Sequence, residues 1–102
     1  MICVLATIEI AEGRRGDFLA EFHKIVPLVR GEKGCIEYGP MVDVATNIGL
    51  QPPPRENVVI AVEKWESIEA LERHLIAPHM VEYRKQVKDL VVGTLLQVLE
   101  PA

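Results

Sequence analysis

Alternating and helical hydrophobic patterns divide the first half of the chain into strands and one helix. Residues 2–11 alternate and are rich in β-branched side chains, which predicts a strand. In residues 15–30 apolar side chains recur every three or four positions, which predicts a helix, although Pro27 should kink that helix or end it early. Residues 35–44 and 58–65 are predicted as the second and third strands.

The second half of the chain begins with a helix start signal. Ser67 is a favourable N-cap, and the apolar residues that follow it have helical spacing up to the Ala77-Pro78 step. Proline suits the first turn of a new helical segment, and the pattern then continues to Gly93. The last strand is therefore predicted over residues 94–99.

The resulting order is β-α-β-β-α-β in a single domain that spans residues 1–102. This order predicts an α+β, ferredoxin-like fold with an antiparallel four-stranded sheet. The third strand should lie between the first and second, which keeps Cys3 and Cys35 too far apart for a disulfide. The two cysteines also lack metal-binding spacing, so we expect reduced, structural thiols.

Both faces of the predicted sheet carry apolar residues. Two helices can cover only one face, and soluble monomers avoid large exposed apolar patches. We therefore expect a homodimer in which two sheets pack together and bury more than about 2,000 Å² in total, as in a dimeric α/β barrel. The all-aliphatic face of the first strand should meet the partner. The mixed face, which carries Thr7, Glu63 and Trp65, should lie under the helices and line a binding cavity.

Composition excludes several classes of partner. The chain has 102 residues, a formal net charge of −4 and 49% hydrophobic residues. No basic stripe is present, so nucleic acid is not an expected partner. No apolar run approaches the roughly 18 residues of a membrane span, and the first segment lacks the basic start of a signal peptide. We expect no membrane insertion and a cytoplasmic location.

The richest chemistry lies between Trp65 and His79. Trp65 ends a predicted strand, His74 lies on the following helix, and His79 comes directly after Pro78. An aromatic ring and two imidazoles on adjoining elements could bind and deprotonate a flat organic molecule. The same residues could instead form ordinary core with polar groups at its edge.

Three motifs resemble those of a known family. They are E-K-G-C-I-E-Y (32–38), V-E-K-W-E-S (62–67) and E-A-L-E-R-H-L-I-A-P-H (69–79). The chain resembles the antibiotic biosynthesis monooxygenase family, and residues 24–44 look most like its quinol monooxygenase branch. The resemblance implies a dimeric α/β barrel that oxygenates a quinol or polyphenol with O₂ and without a flavin, haem or metal cofactor. A deprotonated hydroquinone donates one electron to O₂, so the protein needs only a dry pocket and a base.

His74 is the leading candidate for that base, because the pKa of an unperturbed imidazole lies near neutrality. The alternative is a surface histidine at a helix edge. Trp65 could form a pocket wall and donate its N–H to a substrate oxygen, or serve as a core aromatic. His79 could be a second proton carrier, or it could cap the helix or meet solvent.

Further candidates are hydroxyl and carboxyl groups. Tyr38 and Tyr83 could donate hydroxyls to a substrate, with core packing as the alternative for each. Glu63 could orient a histidine or act as a base, but we favour an ion pair with Arg73 or Arg84. Three further residues are expected to contact the substrate: Thr7, Ala61 and Met80.

This chain differs from two groups of relatives at site positions, and these differences argue against two kinds of site. The antibiotic-pathway members resemble one another in an asparagine four residues before the strand tryptophan, where this chain has Ala61. Hydrogen bonding of a substrate carbonyl from that position is therefore not expected. In haem-degrading relatives the helix histidine ligand and the first-strand asparagine fall at Arg84 and Thr7. No haem site and no other metal site are expected.

Two other function classes stay open at this point. The same base and pocket would serve an isomerase of a small carbonyl metabolite, or a non-catalytic module that binds a small molecule. Oxygen consumption would distinguish the monooxygenase from the isomerase. The sequence also leaves open whether the loop with Pro52-Pro53-Pro54 acts as a lid.

Overall fold

The computed structural model describes all residues, Met1–Ala102, and contains four strands and three helices. In chain order the elements are β1 (Ile2–Ile10), α1 (Arg15–Arg30), β2 (Cys35–Met41), β3 (Val58–Trp65), α2 (Ile68–Leu75), α3 (Pro78–Gln86) and β4 (Val91–Leu99). The ferredoxin-like fold class is confirmed. The second helical region is divided because Ala77 is extended and Pro78 starts a new helix.

The sheet is antiparallel, with strand order β2-β3-β1-β4. β3 therefore separates β1 from β2, as predicted, and Cys3 and Cys35 are free thiols. The Gly39-Pro40 step lies on the edge strand β2, where a residue without a backbone N–H is tolerated.

Helix α1 packs on the sheet through Phe18, Phe22, Ile25 and Val29, which are buried and recur at helical spacing. Pro27 was expected to kink this helix or end it early, and it does not end it, since α1 continues to Arg30. Pro27 lies on the exposed side of the last turn, where a carbonyl left without its N–H donor can be solvated.

The boundary between the last helix and strand differs from the prediction. α3 ends at Gln86, and β4 begins at Val91 instead of residue 94. Val91 pairs with Ile10, and Gly93 with Glu9, so sheet pairing extends into a segment that has helical spacing in the sequence. β2 is shorter than predicted and ends at Met41.

The predicted face assignment is right for β3 and wrong for β1. Val4 lies opposite Glu63, and Ala6 opposite Ala61, so the aliphatic side of β1 shares the helix-covered face. Thr7 lies opposite Ile60 on the other side, which we call the outer face. The alternation within each strand was correct. Which face of β1 lies on the same side of the sheet as a given face of β3 depends on the register between the two strands, and the pattern of one strand does not determine that register.

A candidate active site between the sheet and the helices

A cavity of about 410 Å³ lies between the helix-covered face of the sheet and helices α2 and α3. Ten of its 15 lining residues are hydrophobic, and its size falls in the range of small-molecule sites. Six of the predicted site residues line it: Tyr38, Ala61, Glu63, His74, Met80 and Tyr83. The structure thus brings together residues from β2, β3, α2 and α3.

Helix α2 carries His74 into the core. The Ser67 hydroxyl accepts a hydrogen bond of 3.2 Å from the backbone N–H of Ala70 and caps the helix as predicted. Leu71 and His74, three residues apart, lie on the same buried side of the helix. His74 is only 1% exposed, so the alternative of a surface histidine is wrong.

The carboxylate of Glu32, which was not among the predicted site residues, contacts His74. Nδ1 of His74 lies 2.9 Å from Oε2 of Glu32, in the turn between α1 and β2. Gly34, with a φ of 88°, lets this turn pack against α2, because a Cβ there would lie 2.6 Å from the Cβ of Ala70. Glu32 was not predicted as a site residue, because its motif was used only for the family resemblance.

Glu63 is the second buried titratable group of the cavity. Its Oε1 accepts a 2.9 Å hydrogen bond from the Trp65 indole N–H and lies 3.9 Å from Nε2 of His74. It forms no ion pair with an arginine, so the favoured structural role was wrong. Burial raises the pKa of Glu63 to about 7, with a contribution from the charge of Glu32, while the Trp65 hydrogen bond opposes the shift.

Burial also shifts the other titratable groups at the site. It lowers the pKa of His74, although the hydrogen bond and charge of Glu32 act in the opposite direction. The neutral imidazole is therefore favoured. Burial raises the pKa values of Tyr38 and Tyr83 well above the usual range, so both hydroxyls stay protonated and available as donors.

Three predicted site residues lie outside the cavity lining. Trp65 is fully buried with its ring centroid 4.6 Å from that of His74, and Glu63 occupies its N–H. His79 lies in a groove between α1 and α3, where its Nε2 is 2.7 Å from Oε2 of Glu32. Thr7 is on the outer face, as described above, and does not reach the cavity.

Two cations line the cavity that sequence reasoning had not placed there. Arg84 and Lys88 are four residues apart, at the end of α3 and just beyond it. The Arg84 guanidinium donates to the carbonyl of Leu75, and neither cation pairs with a carboxylate. Their i, i+4 spacing was a partial signal, since such residues share one side of a continuous helix, whereas α3 ends at Gln86, before Lys88. They add positive charge to a mostly apolar cavity.

Comparison with known proteins identifies the family. The sequence model described as antibiotic biosynthesis monooxygenase matches residues 1–86. The chain belongs to the antibiotic biosynthesis monooxygenase family. The resemblance seen in the three motifs is thereby confirmed. No helix of this family member has the length and apolar character needed to cross a membrane. No cluster of three or more His, Cys, Asp or Glu side chains has a metal-binding arrangement.

Relatives cover nearly the whole chain. The "Probable quinol monooxygenase YgiN" of Escherichia coli K12 is 41% identical over 103 aligned positions, which cover 99% of this chain and 98% of that protein. The crystal structure of PA3566 from Pseudomonas aeruginosa has a TM-score of 0.82 at 23% identity and covers 99% of this chain and 93% of its own. A conserved protein from Methanosarcina mazei Go1 has a TM-score of 0.84 at 17% identity, with 99% and 92% covered. Both structures share the fold.

Proposed function

We propose that this family member is a cofactor-independent quinol monooxygenase that inserts one oxygen atom of O₂ into a small aromatic hydroquinone. The observation that carries the proposal is the pairing of His74 and Glu63, 3.9 Å apart, in the lining of a largely apolar cavity. The name of the Escherichia coli relative supports the substrate class.

His74 acts as the general base through Nε2. Its Nδ1 is occupied by Glu32, so Nε2 is the nitrogen that can take a proton from a substrate hydroxyl. The quinolate then passes one electron to O₂, and the semiquinone and superoxide radicals combine to form a peroxide on the ring. The proton returns to the outer oxygen of the peroxide. The O–O bond then breaks as the ring carbon that bears it loses its hydrogen as a proton, which leaves a C=O at that carbon and releases water. Hydroquinone and O₂ thereby give hydroxyquinone and water, with all atoms accounted for.

Glu63 is suited to the return of the proton. Its pKa of about 7 keeps a large fraction of the carboxyl protonated near neutral pH. Trp65 acts through Glu63, because its indole N–H fixes the carboxyl oxygen that faces His74. We therefore assign Trp65 as a positioning residue.

The remaining lining groups hold and stabilise the substrate. Arg84 and Lys88 provide positive charge for the quinolate, and the protonated hydroxyls of Tyr38 and Tyr83 can donate to its oxygens. Ala61 and Met80 form apolar wall, which favours a flat ring. A ring bound against this wall would displace water, which would strengthen the electrostatic interactions inside the cavity.

The outer face of the sheet is proposed as a homodimer interface. Leu5, Val62 and Ile60 lie at its centre and are only partly buried, while Leu95 is 62% exposed. A second sheet packed on this face would remove such apolar surface from water. We also propose a cytoplasmic location, since the two free thiols fit a reducing compartment.

An oxygen electrode tests the proposed reaction. Chemically reduced naphthoquinols and benzoquinols should give oxygen uptake that depends on the enzyme and stays after the uncatalysed rate is subtracted. Anaerobic incubation should give no hydroxylated product. The absence of enzyme-dependent uptake across the panel would contradict the proposal. Oxygen-independent exchange of substrate protons would instead indicate an isomerase.

A further inference from the structure

A single oxygen atom of Glu32 serves two imidazoles. Nδ1 of His74 and Nε2 of His79 lie 2.9 Å and 2.7 Å from Oε2. The side chain of His74 is 2% exposed, whereas that of His79 is 24% exposed. The carboxylate thus joins a buried imidazole beside the cavity to one that reaches solvent in the groove between α1 and α3.

The bond to Glu32 determines which nitrogen of His74 carries hydrogen. An ionised carboxylate can only accept, so the hydrogen must be on Nδ1 and the lone pair on Nε2. The opposite tautomer would place two lone pairs against each other at 2.9 Å. Nε2 is the nitrogen near Glu63, and both residues line the cavity.

We propose that Glu32 is a positioning residue that fixes the proton of His74 on Nδ1 and directs its Nε2 lone pair to the cavity. In this proposal His79 competes for the same carboxylate oxygen and thereby weakens the interaction between Glu32 and His74. The catalytic part rests on the proposed function, in which His74 is the base. Glu32 stabilises the imidazolium that forms when His74 takes the substrate proton. A charged or donating His79 draws on the same negative charge and makes His74 a weaker base.

The proposal predicts shifts of opposite sign in the pH profile. The Glu32 carboxylate raises the pKa of His74, and the charge of His79 lowers it, on top of the lowering by burial. Because the neutral imidazole is the active form, activity rises as pH increases through this pKa. Glu32→Gln should move that rise to lower pH, and His79→Ala should move it to higher pH.

The other titratable or charged groups that face His74 are not replaced in either variant. They come from three elements: Tyr38 of β2, Glu63 of β3 and Arg84 of α3. Their contributions cannot produce opposite shifts in the two variants. A merely structural role of Glu32 would reduce the active fraction without changing the pH at which activity rises.

Kinetics separate positioning from substrate binding. Glu32 does not line the cavity, so Glu32→Gln should lower kcat by about 10- to 100-fold with a much smaller change in KM. Glu37→Gln is the matched control, since Glu37 is an exposed carboxylate on β2 that pairs with Lys64. This control should leave kcat, KM and the pH profile unchanged.

Nitrogen-15 NMR of histidine-labelled protein tests the proposal without any substrate. In the wild type, His74 should show a protonated Nδ1 and an unprotonated Nε2, and its pKa should fall in Glu32→Gln and rise in His79→Ala. A proton on Nε2 in the wild type, or shifts of the same sign in both variants, would overturn the proposal whether or not the protein oxidises quinols. If Glu32→Gln does not fold, the wild-type tautomer and the His79→Ala shift still decide.

Discussion

Nε2 of His74 lies 3.9 Å from Oε1 of Glu63, and the two side chains line the same cavity. This distance is too long for a direct hydrogen bond, so each group keeps capacity for a substrate. Burial lowers the pKa of the imidazole and raises that of the carboxyl to about 7. The favoured pair at neutral pH is thus a neutral base beside a carboxyl that is protonated for a large fraction of the time.

Replacement of the base should abolish most turnover. His74→Ala removes the proposed base, so kcat should fall by about 10²- to 10⁴-fold, the usual contribution of general acid–base catalysis. Steady-state kinetics with a naphthoquinol would measure this. His23→Ala, at an exposed position on α1, is the matched control and should retain full activity. Wild-type turnover in folded His74→Ala protein would show that His74 is not the base.

Glu63→Gln should stabilise the protein at high pH. Burial raises the pKa of Glu63 from 4.5 to about 7, so the folded state binds its proton more tightly than the unfolded chain between these values. The contribution of Glu63 to the free energy of unfolding therefore falls as pH rises through that window. Glutamine keeps an oxygen for the Trp65 N–H but carries no charge. We expect it to add about 2 to 3 kcal/mol at pH 8 and little at pH 4.

Urea denaturation of wild type and variant at equal protein concentration checks this pH dependence. Glu37→Gln serves as the control, because Glu37 is exposed on the same sheet. It should show no comparable difference between the two pH values. An equal effect of Glu63→Gln at pH 4 and pH 8 would mean that Glu63 is not destabilised by burial of its charge.

Gly34→Ala should destabilise the fold and disturb Glu32. The residue has a φ of 88°, and the new methyl group would lie 2.6 Å from the Cβ of Ala70. The strained backbone and the clash should together cost about 1 to 3 kcal/mol in the free energy of unfolding. Gly49→Ala, where nothing lies within 4 Å, is the control for thermal melting. Equal melting temperatures of the two variants would contradict the close packing of this turn on α2.

A charge on the outer face should separate the proposed dimer. Val62 lies opposite Leu5 in the centre of the sheet, so Val62→Glu would place a carboxylate inside the interface. Light scattering after size exclusion should show a dimer for the wild type and a monomer for the variant. Leu28→Glu, at a residue 54% exposed on α1, should remain dimeric. A wild-type monomer at micromolar concentration would contradict the proposed interface.

The local sequence pattern was sufficient to predict most of the fold. The strand Val58–Trp65 and the cap at Ser67 depend on alternation and on short-range hydrogen bonds, and both were predicted. The start of β4 was missed because Val91 and Gly93 owe their conformation to pairing with β1. Local spacing cannot reveal that pairing.

The site was predicted only in part, for the same reason. Cavity residues such as His74 and Tyr38 are chemically conspicuous in the sequence. The expected position of Thr7 was wrong because the register of β1 against β3 decides which face it shares. Glu32 lies 42 residues from His74 and makes its contact through a glycine-dependent turn. Nothing in the spacing of those two residues indicates that they meet.

Isotope labelling tests the central claim most directly. The protein would be incubated with a reduced naphthoquinol under ¹⁸O₂, and the product and the water analysed by mass spectrometry. The account predicts a hydroxylated quinone that carries one labelled oxygen atom, with the other labelled atom in water. A product that gains no oxygen from ¹⁸O₂, or a simple quinone formed with labelled peroxide, would contradict monooxygenation.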